Sequence, residues 1–143
     1  MEKVYLASPY SSGIPNHWAK NWKARIMGER FQANIDAANW LIKQGYAVYA
    51  PIIHWHPVAV KHKLPRDAKF WKSQNDAMLS WCTTFTILKL KGWEKSDGLI
   101  QEMKEAMELD KEVILMSLLS KEHRYYNKLP KYKLEPHNVS TAA

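Results

Sequence analysis

Cysteine is almost absent from this chain, with Cys82 alone among 143 residues. A single thiol excludes an internal disulfide framework and a cysteine-based zinc site. Nothing near it in the sequence would activate it, so a buried structural thiol is expected. Glycine is also scarce: five residues, with seven prolines, leave no room for collagen-like or low-complexity architecture. No apolar run approaches the ~20 residues of a membrane-spanning helix. The opening Met1-Glu2-Lys3-Val4-Tyr5 runs straight into a strand-like stretch, which reads as a start without a signal peptide. A cytoplasmic location is therefore expected, with no membrane partner.

Acid is in short supply as well, 14 acidic residues against 21 basic ones, for a net charge of +7. Such a balance favours anionic partners, whether nucleic acid, a membrane surface or a phosphorylated metabolite. Part of the excess lies late in the chain, where Lys121, Arg124, Lys128, Lys131 and Lys133 outnumber Glu122 and Glu135. Residues 1–118 read as one domain, and 119–143 as a solvated basic tail. No recognised nucleic-acid motif is present, so nucleic acid is not the expected partner.

What is present is an alternation of periods. Val4 to Ala7 is a short apolar run that stops at Ser8-Pro9, as a buried strand does. Ser11 to Asn21, with Gly13 and Pro15, reads as a loop. Ile26, Phe31, Ala33, Ala37, Ala38, Leu41 and Ile42 then fall on one helical face, and Gly45 ends the helix. Tyr46 to Ala50 predicts a second strand. Ile52 to Pro65 has three His, two Pro and a Trp without a sustained period, and reads as a long loop or one short helix. Helical spacing returns from Arg66 to Trp81. Phe85 to Leu90 is a third strand, Ser96-Asp97 an N-cap for a helix to about Asp110, and Val113 to Met116 a fourth strand. The order βαβαβαβ implies an α/β fold with a parallel sheet of four to five strands between helices. In such sheets ligands sit at the carboxyl ends of the strands, which nominates Ser8 to Ser12, Pro51 to His56 and Gly92 to Gly98.

The third of these segments joins a strand end to a helix start, so its first amides are free donors for an anion. Ser96 and Gly98 suit a close approach of phosphate, together with the hydroxyl-rich loop at Ser8 and Ser11. Glu102 lies six residues after Ser96, where it can face the sheet edge. Its plainer reading is one of several solvated acids on an amphipathic helix. His54-Trp55-His56 with His62 has no third ligand at fixed spacing, so no metal is expected, and His54 reads as a contact to a ligand. Most of the seven Trp read as packing residues.

Tyr5-Leu6-Ala7-Ser8-Pro9-Tyr10, Asn75-Asp76 and Ser96-Asp97-Gly98 followed by Glu102 and Ala106 together resemble the nucleoside 2-deoxyribosyltransferase superfamily. The match covers roughly Val4 to Met116. Within that superfamily the chain is similar to a bacterial and phage branch of small proteins, related to the 2′-deoxynucleoside 5′-monophosphate N-glycosidases. The resemblance implies a flavodoxin-like, three-layer Rossmann-like sandwich, no cofactor, a deoxynucleotide ligand and a homo-oligomer. It implies Glu102 as the nucleophile and Asp76 as the acid that holds the deoxyribose or the departing base. A carboxylate can capture C1′ as a covalent ester while a second acid assists the base. Tyr5 or Tyr10 would orient Glu102, and Tyr10, exposed after Pro9, is a site candidate in its own right.

Ser96 stands where transferases carry aspartate and the monophosphate glycosidases carry serine, which favours hydrolysis of a nucleotide over transfer between nucleosides. Ile100 and Lys104 replace small residues of the family pattern, which would suit a non-catalytic nucleotide-binding module. The first loop lacks the family's arginine, so the charge facing phosphate would come from Lys20, Arg25 or Arg30.

Overall fold

The computed structural model describes residues 2–15, 17, 19–119 and 130–137. Strand β1 (Lys3–Ala7) is followed by helix α1 (Lys20–Lys43), β2 (Ala47–Tyr49), α2 (Pro51–His62), α3 (Ala68–Trp81) and β3 (Thr84–Leu88). A single 3-10 turn at Trp93–Lys95 leads into α4 (Asp97–Glu108), and β4 (Glu112–Leu118) and β5 (Tyr132–Pro136) complete the chain. The sheet order is β2-β1-β3-β4-β5, the flavodoxin order. Four strands are parallel, and β5 runs antiparallel to β4 from Ile114 opposite Pro136 to Leu118 opposite Tyr132.

Right-handed crossovers dictate the layers. The chain moves one way from β1 to β2 and the other way from β2 past β1 to β3, so α1 and the pair α3, α4 must cover opposite faces. The core divides accordingly. Val4, Leu6, Leu88 and Met116 pack with Ala37, Ala38 and Leu41 of α1. Tyr5, Ala7, Phe85 and Ile87 pack with Leu79 and Cys82 at α3 and with Leu99 and Ala106 of α4. Strands β1 and β3 are covered on both sides, which is why Val4 to Ala7 and Thr84 to Leu88 are buried without alternation. Gly45, at φ 97°, makes the reversal from α1 to β2 in a backbone region that costs glycine little. Among the described residues no helix is long and apolar enough to cross a membrane.

Of the two readings open for the stretch after Pro51, the structure takes the helix, Pro51–His62. Pro51 sits at its first turn, where a missing N–H is harmless. The chain beyond residue 119 is more than a solvated tail. Its residues Lys121 to Lys128 lie outside the described ones, but Tyr132–Pro136 adds the fifth strand, and Tyr132 buries its ring edge-on to Trp40 at 5.8 Å. Its lysines face outward (Lys133 pairs with Glu135 at 2.6 Å), so alternation of charge hid an edge strand.

Tyr132 is thus a core residue of the sheet edge. Tyr132→Ala is expected to cost on the order of 3 kcal/mol in denaturant unfolding, as other buried aromatic truncations do. A change below about 0.5 kcal/mol would mean that the strand adds nothing to the domain.

Candidate functional site

Strand order reverses between β1 and β3, and the loops leaving their carboxyl ends diverge there. A cavity of about 110 Å³ opens at this point, lined by Ser8 to Ser12 except Pro9, by α2 and α3, and by Ser96, Gly98, Leu99 and Glu102.

The floor is built from the core. Tyr5 is fully buried in β1, stacked on Phe85 at 5.5 Å, and its hydroxyl donates to Glu102 Oε2 at 2.7 Å. Burial of the Tyr5 phenol, and then the carboxylate beside it, push its pKa far up, so it remains a donor at any working pH. Burial likewise dominates at Glu102 and raises its pKa to about 7, the bond from Tyr5 pulling only partly the other way. Glu102 therefore combines a fixed orientation with a proton that leaves near neutrality.

The β1 loop is tied down from α1. Asn34, fully buried, donates through Nδ2 to Ser8 Oγ and to the Arg30 carbonyl, both at 2.8 Å. Arg30 Nη1 donates to the carbonyls of Tyr10 at 2.6 Å and Ser12 at 2.8 Å. Ser12 Oγ donates to Ser96 Oγ at 2.9 Å, linking this loop to the start of α4. Ser96 is buried at the N-cap position but makes no side-chain cap bond, and it lines the cavity beside first-turn amides that lack intrahelical acceptors. Gly98 has no space for a side chain, since a Cβ there would stand 2.8 Å from Ala68 Cβ. That contact sets how closely α4 approaches α3. Ser11 Oγ donates to the Arg66 carbonyl at 3.0 Å.

On the outer wall Trp55 and Trp71 stack at 4.7 Å and 26°, and Trp71 Nε1 donates to the Pro65 carbonyl at 2.8 Å. Tyr10 hydrogen-bonds His56 Nδ1, and the imidazole stacks on Phe31 at 4.5 Å. Burial and then the nearby Arg66 charge lower the His56 pKa. Both effects favour the neutral imidazole.

Several nominated residues sit elsewhere. Because α2 is a helix, residues two apart are turned by about 200°. His54 is exposed against Tyr49 and Trp55 and does not line the cavity, whereas His56 does. The same rotation keeps the two imidazoles from chelating one ion. Among the described residues no three His, Cys, Asp or Glu side chains converge as a metal site. Asp76 also stands off the cavity, held by Lys72 Nζ at 2.8 Å in a largely exposed pair. Its neighbour Asn75 lines the cavity with a buried Oδ1 that has no hydrogen-bond partner. Pro9 is buried beneath the loop, and Tyr5 lies under the floor, neither of them on the lining.

Of the expected cations, Lys20 is exposed, Arg25 pairs with Glu29 at 3.2 Å, and Arg30 is spent on loop carbonyls. The cation on the cavity wall is Arg66, which the sequence reading missed. Asn75 carried a signal: it is four residues from Trp71 and four before buried Leu79, one inward face of α3. Lys72 and Asp76, also four apart, mark the solvent side.

The raised Glu102 pKa makes a stability prediction. The folded carboxyl keeps its proton to about pH 7, while the unfolded chain releases it near the ordinary 4.5. Between these values the folded state binds more protons, so stability falls as pH rises, and the full cost is present above about 7. Glu102→Gln keeps an acceptor for Tyr5 and removes this cost. Its thermal midpoint should exceed the parent's at pH 8 and match it near pH 4.5. Melts showing the same gap at both pH values would contradict the assignment.

A model of one protein family, described as a domain of unknown function (DUF1937), matches residues 2–118. That span takes in every strand but β5 and all of the cavity. No curated protein matches the sequence. The chain is a member of the DUF1937 family.

Proposed function

We propose that this protein cleaves the N-glycosidic bond of 2′-deoxynucleoside 5′-monophosphates through a covalent deoxyribosyl-glutamate. The observation that carries the reading is the Glu102 carboxylate, aimed by Tyr5, half ionised near pH 7, and bordering a cavity that also holds several hydroxyls and the Arg66 cation. The resemblance to the nucleoside 2-deoxyribosyltransferase superfamily supports it.

In this mechanism an ionised Glu102 oxygen attacks C1′ as the C1′–N bond breaks, and the bonding pair leaves with the base. Asn75 can donate a hydrogen bond to the departing base through its amide, and the base takes its proton from water. Water then hydrolyses the ester, releasing 2-deoxyribose 5-phosphate and restoring the carboxylate. Tyr5 holds the attacking group through both steps and stays protonated. The phosphate would meet Arg66, Ser12, Ser96 and the free amides of α4, where a helix N-terminus favours negative charge. A carboxylate at position 96 would repel that phosphate, while a serine hydroxyl can donate to it, so hydrolysis of nucleotides fits better than transfer between nucleosides.

Incubation with a panel of deoxynucleotides, followed by chromatography of free base, tests the reading. The monophosphate should bind at least ~1.4 kcal/mol better than the nucleoside, a factor of ten. Equal affinities would restore the transferase reading. Rate should rise with pH through an apparent value near 7, as the nucleophile ionises. Glu102→Ala should abolish turnover by a factor on the order of a thousand, and a 2-fluoro-2-deoxyribosyl substrate should label Glu102 alone. Binding without base release in either form would leave a nucleotide-binding module.

The two neighbours on α3 should separate in the same assay. Asn75→Ala should lower turnover by about tenfold or more, leaving the departing base without its amide. Asp76→Asn should leave turnover within about twofold, since its exposed pair with Lys72 is off the cavity. The reverse ranking would return the acidic role to Asp76.

A further inference from the structure

The rim joining α2 to α3 borders the cavity on both sides, because Ala59 and Arg66 to Ala68 line it. Between Lys61 and Lys72 stand five basic residues, Lys61, Lys63, Arg66, Lys69 and Lys72, and one acid, Asp67. Lys72 is neutralised by Asp76 and by Glu105 at 2.9 Å. The Asp67 carboxylate accepts the Phe70 amide at 2.8 Å as the cap of α3. Lys61, Lys63, Arg66 and Lys69 make no ion pair among the described residues, and the three lysines are exposed.

The same rim carries a run of rings. Trp55 stacks on Trp71 inside the cavity, and Phe70 meets Trp71 edge-on at 4.8 Å. Phe70 is 45% exposed, so the run passes from the cavity wall to open solvent. Lys61 in the last turn of α2 and Lys63 at its C-cap suit the negative end of that helix, while their side chains, and that of Lys69, stay exposed. Unpaired cations alternating with an exposed ring are the parts of a single-strand nucleic-acid track, in which phosphates follow the charge and bases stack on aromatic faces.

We propose that the α2–α3 rim binds a short single-stranded oligodeoxynucleotide, with a terminal nucleotide at the cavity and the following ones along Phe70, Lys61, Lys63 and Lys69. Three features select this occupant: the excess positive charge, the exposed ring and the continuity of rings into the cavity. The proposal goes beyond the cleavage reading and stands on different residues. It departs from the expectation, read from motifs alone, that nucleic acid is not a partner. The cluster forms only when the α2–α3 connection folds against the cavity.

Fluorescence anisotropy with labelled oligothymidylates of two, four and eight nucleotides, competed with the mononucleotide, tests it. The eight-mer should bind at least tenfold more tightly than the mononucleotide. Charge reversal at Lys61→Glu, Lys63→Glu and Lys69→Glu together should remove that gain. The same variant should flatten the slope of log affinity against log salt by about 2, three contacts at roughly 0.7 each. Phe70→Ala should weaken the eight-mer by about fivefold or more while leaving mononucleotide affinity unchanged. Affinity independent of length, an unchanged salt slope in the triple variant, or tighter binding to duplex DNA or anionic vesicles would overturn the proposal. Failure of base release with length-dependent binding intact would instead sink only the cleavage reading.

Discussion

The hydrogen bond from Tyr5 to Glu102 ties the chemistry of this protein to its core. Its donor is a fully buried ring in the interior strand β1, stacked on Phe85 and leaning on Tyr49 at 5.7 Å. Its acceptor stands on α4, which the chain reaches only after β3 is in place. The bond therefore forms only when β1, β3 and α4 are docked in register. Once formed it fixes one carboxylate oxygen and leaves the other for work. A group held this way owes its orientation to packed elements rather than to a loop, which is what precise chemistry requires. The energetic tension at Glu102 has the same origin. Burial disfavours the charge, Tyr5 favours it, and burial prevails.

Around that fixed point the switch in strand direction supplies an opening. Loops after β1 and β3 part there, and polar side chains from α1 hold the first of them open. Asn34 and Arg30 spend their donors on Ser8 and on the carbonyls of Tyr10 and Ser12, so a loop of small residues keeps one shape. Arg30 thus contributes geometry, and its charge lies behind the backbone it supports. The facing charge comes from Arg66, on the far side of the cavity.

The first four strands were legible because short continuous apolar runs between turn signals mark buried strands, and their alternation with helices implies a parallel sheet. The carboxyl-end rule then nominated Ser8 to Ser12, Pro51 to His56 and Gly92 to Gly98, and the cavity is lined from all three segments. β5 was hidden because Tyr-Lys-Leu-Glu-Pro alternates charge with apolar residues at an exposed edge, and its pairing with β4 spans a long connection. Arg66 was hidden because nothing local marks it. It reaches the cavity through the path of the α2–α3 connection, which depends on where both helices dock.

His54 on α2 and Asp76 on α3 are each displaced from the cavity in favour of a near neighbour, and helix geometry explains the pattern. A helical side chain changes direction by 100° per residue, so a one-residue error moves a group from the cavity to solvent. Asp76 and Asn75 differ by one such step, and His54 and His56 by two. Strand β1 and helix α4 tolerate no such error, because Tyr5 and Glu102 constrain each other from opposite ends of the chain. The site consequently has two halves of different character. The half on β1 and α4 is locked to the core and carries the Glu102 carboxylate. The other half presents His56, Asn75 and the Trp55–Trp71 pair, set by the phase of α2 and α3, and Arg66, set by the connection between them. A small rotation of either helix would exchange the groups that meet the ligand while leaving Glu102 and its partner undisturbed. On the proposed reading, choice of ligand would fall to the α2–α3 side of the cavity and reactivity to β1 and α4.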